Sequence, residues 1–163
     1  MTSTRLESQG SPRGLTRLLF RAPIALYRVG LGFLLGKRFL MLEHTGRKSG
    51  ETRRTVLEVV VDEPDASYVA AAWGDKAQWL QNVKADPSVT FHLGSRSYET
   101  KAEMVGTEEA HSLMNRYAQA HPKALARLSA FMLENPGDTV REQADRVAES
   151  VPMVRLPKRV EFS

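Results

Sequence analysis

The stretch His44-Thr45-Gly46-Arg47-Lys48-Ser49-Gly50-Glu51-Thr52-Arg53-Arg54-Thr55 decides how the rest of the chain reads. Four cationic side chains, Arg47, Lys48, Arg53 and Arg54, share this segment with two glycines. The apolar run Phe39-Leu40-Met41-Leu42 precedes it, and the largely β-branched run Val56-Leu57-Glu58-Val59-Val60-Val61 follows. That order predicts two strands joined by a charged, glycine-bearing connection. Glycine lets backbone N–H groups approach a ligand closely. Arginine adds a planar fork of donors that fits phosphate or carboxylate. The segment therefore reads either as an anion cradle between two strands or as a solvated hairpin tip.

Working outward, a second block reads Ala70-Ala71-Ala72-Trp73-Gly74, then Gln78-Trp79-Leu80-Gln81-Asn82-Val83-Lys84-Ala85-Asp86-Pro87. A strand ending in small residues leads into a helix over about 75–85. Asp75 is its expected N-cap, Ala77, Leu80, Val83 and Lys84 form its inward side, and Asp86-Pro87 stops it. Strands are expected at about 39–45, 52–62 and 67–73. A hairpin follows around Gly94-Ser95, in which Val89, Phe91 and Leu93 alternate with polar neighbours. The second and third strands are nearly continuous apolar runs, which predicts cover on both faces of at least one. Helices are expected from Thr107 to about His121, over 122–134, and from a capping box at Thr139 and Glu142 to about 149. A last strand near 151–156 reads as an edge, because Pro152 cannot donate to a ladder.

With 163 residues the chain is expected to form one domain over 13–163, behind a polar, disordered tail at 1–12. There is no cysteine, so thiol nucleophiles, disulfides and Cys-based zinc sites are excluded. The four histidines are scattered without metal-ligand spacing, and there is no Gly-x-Ser-x-Gly elbow. Charge is uneven. Residues 1–54 carry eleven Lys/Arg against three Asp/Glu, a surplus of +8, whereas 55–163 carry twelve against sixteen, or −4. Such a field concentrates anionic partners near the cradle. Nucleic acid is a poor fit, since no aromatics interleave with the basic cluster. Arg13, Arg17 and Arg21 recur on one face of an expected helix over 14–37. A basic amphipathic segment over 13–37 suits either packing on the domain or peripheral contact with a membrane surface.

The two blocks together resemble the deazaflavin-dependent nitroreductase and F420H2-dependent quinone reductase family over roughly residues 15–125. The resemblance implies an α+β split β-barrel of about six mainly antiparallel strands with peripheral helices. It implies a cytoplasmic oxidoreductase, in places held at the inner membrane face. Its reaction would be hydride transfer from reduced coenzyme F420 to a small quinone, enone or nitro-type acceptor. Arg47, Lys48, Ser49, Arg53 and Arg54 would hold phosphate and tail carboxylates. The ring would lie near Thr55, Val56 and Leu57 and near Ala70, Ala71, Ala72 and Trp73, bordered by Trp79 and Asn82. Where the best-known members carry acceptor-side tyrosines, this chain has Ala120-His121-Pro122-Lys123-Ala124, leaving Tyr117 and His121 as the nearest substitutes. FMN is the alternative cofactor, and a lipid-binding barrel without redox activity is the alternative function. Homodimers are common among flavin barrels, and no stretch here marks an interface.

Overall fold

The computed structural model describes residues 37–71 and 74–159. The expected tail over 1–12 lies outside these residues, as do Ala72, Trp73 and all of the basic helical segment but Lys37.

Seven strands are present among the described residues: β1 Phe39–Thr45, β2 Thr52–Asp62, β3 Ala66–Ala70, β4 Ser88–Leu93, β5 Arg96–Lys101, β6 Glu103–Met104 and β7 Met153–Pro157. All pairings are antiparallel, in the order β5-β4-β1-β2-β3-β7-β6. The two ends of that order, β5 and β6, are consecutive in sequence and separated only by Ala102. The sheet therefore bends back on itself into a nearly closed barrel. The sequence predicted about six strands. The extra one is the two-residue β6: the alternation Tyr98, Thr100, Ala102, Met104 reads as one strand, but the chain passes at Ala102 from pairing with β4 to pairing with β7.

Strand alternation explains the inside of the barrel. Leu40, Leu42, Leu57, Val69, Phe91, Val154 and Leu156 meet there, almost all with no exposed surface. Each such side chain contributes about 1.5–3 kcal/mol by leaving water. The opposite face of β2, β3 and β7 is also covered. Val60, Ala66, Tyr68 and Met153 pack against Leu113, Met114, Leu125 and Val147 of a helical layer. That layer consists of α2 Thr107–Ala120, α3 Pro122–Met132 and α4 Val140–Ser150. Cover on both sides is the reason β3 reads as an unbroken apolar run. In β2 one residue is added between the pairs Val59↔Val69 and Val61↔Tyr68, a bulge. The capping box of α4 forms as its sequence predicts: Thr139 accepts from Glu142 N–H, and the Glu142 carboxylate accepts from Thr139 N–H.

Three local expectations are corrected. The helix expected from Asp75 begins later, as α1 Gln78–Ala85, after a short 3-10 turn over Gly74–Lys76. Asp75 does not cap it but pairs with Lys84 at 2.9 Å, which turns Lys84 outward into water. The last strand is not an edge, because β7 pairs with β3 on one side and β6 on the other. Pro152 lies just ahead of it, where its missing N–H costs no ladder bond and its carbonyl accepts from Ala71 N–H.

Candidate functional site

The connection between β1 and β2 is a compact loop closed by two backbone bonds, Gly46 N–H to Glu51 O and Gly50 N–H to Gly46 O, both 2.8 Å. Gly50 has φ +71°, in the left-handed region that glycine adopts freely. A Cβ at Gly46 would sit 2.7 Å from Ser49 Oγ, so a larger residue there would turn the Ser49 hydroxyl out of its present place. Ser49 Oγ accepts from Glu51 N–H at 3.2 Å and from Arg53 at 3.4 Å. Its own hydroxyl hydrogen is left to donate outward.

Beside the loop, α1 lies across β1 and closes one side of a groove of about 500 Å³. Its walls include His44, Arg47, Lys48, Ser49, Arg53, Arg54, Thr55, Gln78, Trp79 and Asn82. Arg47 is held against α1 by neutral amides. Its Nη1 donates to Asn82 Oδ1 at 2.8 Å, its Nη2 to Gln78 Oε1 at 2.9 Å, and its backbone N–H also reaches Asn82 Oδ1 at 3.2 Å. Asn82 Nδ2 in turn lies 3.1 Å from His44 Nδ1. Both Asn82 and His44 are buried. Burial and then the charge of Arg53 push the His44 imidazolium down from its ordinary value, so the ring is neutral near pH 7. Lys48 has no polar partner among the described residues. Arg54 pairs with Glu43 at 3.1 Å. Partial burial raises the Glu43 carboxyl, but the hydrogen bond and charge of Arg54, with help from His92, hold it below its usual range.

The structure thus gathers eight residues singled out from the sequence at one groove: Arg47, Lys48, Ser49, Arg53, Arg54, Thr55, Trp79 and Asn82. Others lie elsewhere. Leu57 and Ala71 face the barrel interior, and Ala70 packs under the helices. Val56 does not line the groove; it lies between Arg54 and Glu58 on the outer face of β2. Tyr117 is buried between barrel and helices, where its hydroxyl donates to Glu58 Oε1 at 3.3 Å. Burial first, then the Glu58 charge, pushes this phenol up to about 12. His121 lies beside it, with ring centroids 5.4 Å apart.

Sequence reasoning left His44 and Gln78 out of the site. The signals were present. His44 continues the inward alternation Leu40, Leu42, and Gln78 stands one helical turn before Asn82.

The groove's donor set is suited to an anionic ligand with a flat, partly apolar body. Guanidinium, ammonium and hydroxyl donors face one side, and the Trp79 indole stands on the other. Comparison with known proteins gives the chain a family. The model of the F420H(2)-dependent quinone reductase family matches residues 21–129, more than half of the chain. An F420H(2)-dependent quinone reductase of Mycobacterium tuberculosis strain H37Rv is 28% identical over 149 residues, covering 86% of this chain and 91% of that protein. Among solved structures, the F420-H2-dependent reductase FDR-A superposes with a TM-score of 0.53 at 21% identity, covering 74% of this chain and 95% of the other. A domain-swapped dimer superposes with a TM-score of 0.55 at 19% identity, covering 88% and 99%. At these identities the two superpositions establish the split-barrel fold, and the family match goes further: the chain belongs to the F420H(2)-dependent quinone reductase family.

Proposed function

We propose that the groove between the β1–β2 loop and α1 holds coenzyme F420 and that the protein reduces a quinone with it. The observation carrying this reading is the loop's uncancelled positive charge. Arg47 is oriented by amides rather than by carboxylates, so its charge remains available to the coenzyme's phosphate. Lys48 and the Ser49 hydroxyl face the same groove. Arg53, half engaged with exposed Glu51, would be the cation left for the coenzyme's glutamate tail.

Reduced F420, when bound, supplies the hydride. The chain supplies orientation and water exclusion. Trp79 and Thr55 form the less polar wall, and Asn82 fixes the spacing between loop and helix. The acceptor would have to reach the ring from the open side of the same groove, and the Tyr117–His121 pair lies outside the groove's lining. Tyr117, buried and raised to about 12, keeps its proton throughout the physiological range and spends it on Glu58, so its role is to fasten α2 to β2.

The lipid reading finds less support. Leu40, Leu42, Phe91, Val154 and Leu156 fill the barrel interior, and a carboxylate headgroup needs one cation, not the cluster found here. No helix among the described residues is long and apolar enough to cross a membrane. Contact of residues 13–37 with an anionic bilayer belongs to the same proposal and is tested by vesicle sedimentation. Dimer formation is tested by light scattering.

The decisive experiment is a fluorescence titration with F420 at low and high salt, followed by F420H2 oxidation with a naphthoquinone. Micromolar or tighter, salt-weakened binding with quinone-dependent turnover supports the reading. Binding of FMN or fatty acid instead of F420 would overturn it.

A further inference from the structure

His44 is buried inside the basic cluster, and the hydrogen bonds around it leave a single arrangement of its protons. Arg47 offers only donors, from its backbone N–H and from Nη1, and both point at the same atom of the Asn82 amide. That atom must be the carbonyl oxygen. The amide nitrogen therefore faces His44 Nδ1, and an amide nitrogen can only donate. Nδ1 is then an acceptor, and the imidazole proton resides on Nε2. A second proton on Nδ1 would oppose the Asn82 N–H and could be accommodated only by turning the amide and losing Arg47. Burial and the neighbouring Arg53 act in the same direction. The loop arginine and the helix asparagine thus set the tautomer of the histidine.

Nε2–H has no partner among the described residues, yet it is not among the buried side-chain polar atoms left unsatisfied. It therefore keeps some contact with solvent. His44 lines the basic groove and also a larger polar cleft of about 890 Å³ bounded by β4 and β5. The groove is where Arg53, the charge acting on the ring, also faces. A neutral N–H donor beside that guanidinium complements an oxyanion.

We propose that His44 is a ligand-contacting residue: held as the Nε2–H tautomer by the Arg47–Asn82 pair, it donates to a phosphate-class oxygen of the ligand bound in the groove. The proposal rests on the cofactor reading above for the identity of that ligand, but not for the tautomer. His44 acts here as a fixed neutral donor and moves no proton. It links the two walls of the site, since displacing Arg47 from Asn82 frees the amide to turn and releases the tautomer. Anion affinity and the orientation of α1 are coupled through one ring.

The test is nitrogen-detected NMR of histidine-labelled full-length protein between pH 6 and 8, first without ligand, then with inorganic pyrophosphate, then with F420. Expected are a protonated Nε2, a lone pair on Nδ1, and a shift of the Nε2–H signal on adding either anion. His44→Phe is expected to weaken F420 binding about tenfold, the effect of losing one hydrogen bond to a charged group. His44→Gln, which retains an acceptor for Asn82 and a donor for the ligand, restores most of it. A purely structural histidine would show no shift with either anion. An Nδ1–H tautomer, an Nε2 signal unmoved by both anions, or folded His44→Phe with wild-type affinity would overturn the inference. If His44→Phe does not fold, the wild-type spectra decide alone. A pyrophosphate shift without F420 binding would leave the His44 assignment standing and remove the cofactor reading. F420 binding with an unmoved Nε2 would do the reverse.

Discussion

Two sets of cations on this molecule differ in what surrounds them. Around β7, Arg155 and Lys158 are matched by carboxylates. Arg155 meets Asp65 at 3.0 Å, Glu103 at 2.9 Å and the Tyr68 hydroxyl at 3.3 Å. Lys158 meets Asp62 at 2.6 Å and Arg116 meets Glu63 at 2.6 Å. In the β1–β2 loop, Arg47 meets only amides, Lys48 meets nothing among the described residues, and Arg53 meets exposed Glu51. Amides steer a guanidinium without cancelling its charge, whereas carboxylates do both. The first set fastens strands to one another, and the second remains available to a ligand.

The contrast can be broken most directly at the loop. Arg47→Ala with Lys48→Ala removes two charge-assisted contacts, each of about 1.5–3 kcal/mol. F420 affinity should fall several hundredfold in a fluorescence titration, while loss of the two Arg47–amide bonds lowers stability by only about 1 kcal/mol; an unchanged affinity would mean the loop is not the anion site. The converse experiment is Arg155→Ala, which unpairs the exposed Glu103 and Asp65 and removes the guanidinium beside the Tyr68 hydroxyl. Unfolding stability should drop by about 1 kcal/mol in urea titration. F420 affinity should stay put, and a parallel loss of binding would erase the distinction between the two sets.

A smaller effect comes from pH. Imidazole in the unfolded chain protonates near 6.5, whereas burial and Arg53 hold folded His44 neutral to lower pH. Between those values the unfolded chain binds more protons, so stability is complete above about 6.5 and declines as pH falls through the folded value. Urea midpoints at pH 7.5 and 5 should show a loss that His44→Gln abolishes; a loss that persists in His44→Gln would place the titration elsewhere. Smallest is Glu51→Gln, which removes the carboxylate competing for Arg53. Exposed pairs are worth about 0.2–1 kcal/mol, so affinity for F420 should rise about twofold. Isothermal titration resolves that change, and a weakened affinity would show that Glu51 orders the loop instead.

Much of this was written in the sequence. The strands around the cradle, the covered β3 and the α4 capping box follow from alternation, apolar runs and spacing, which are local properties. What escaped was set by tertiary contact. Lys84 looked inward by helical period, yet Asp75 draws it to the surface. Pro152 suggested an edge, yet the proline lies one residue ahead of a strand with neighbours on both sides. His44 looked like an isolated histidine because its partners, Asn82 and Arg53, come from an element distant in sequence and from the far side of a loop. Periodicity assigns a residue to a face, but it does not say which amide waits opposite.

Closing the barrel through its last strand gives the fold an order in time. The loop between β1 and β2 joins near neighbours in sequence, whereas Tyr68 and Arg155 meet across 87 positions. Local pairings form quickly and distant ones slowly. During synthesis the basic loop can assemble while the free side of β3 still waits for β7, an unpaired edge open to aggregation. Chains stopped before residue 153 should therefore keep the hairpin yet precipitate, and refolding kinetics should show the β7 amides protected last.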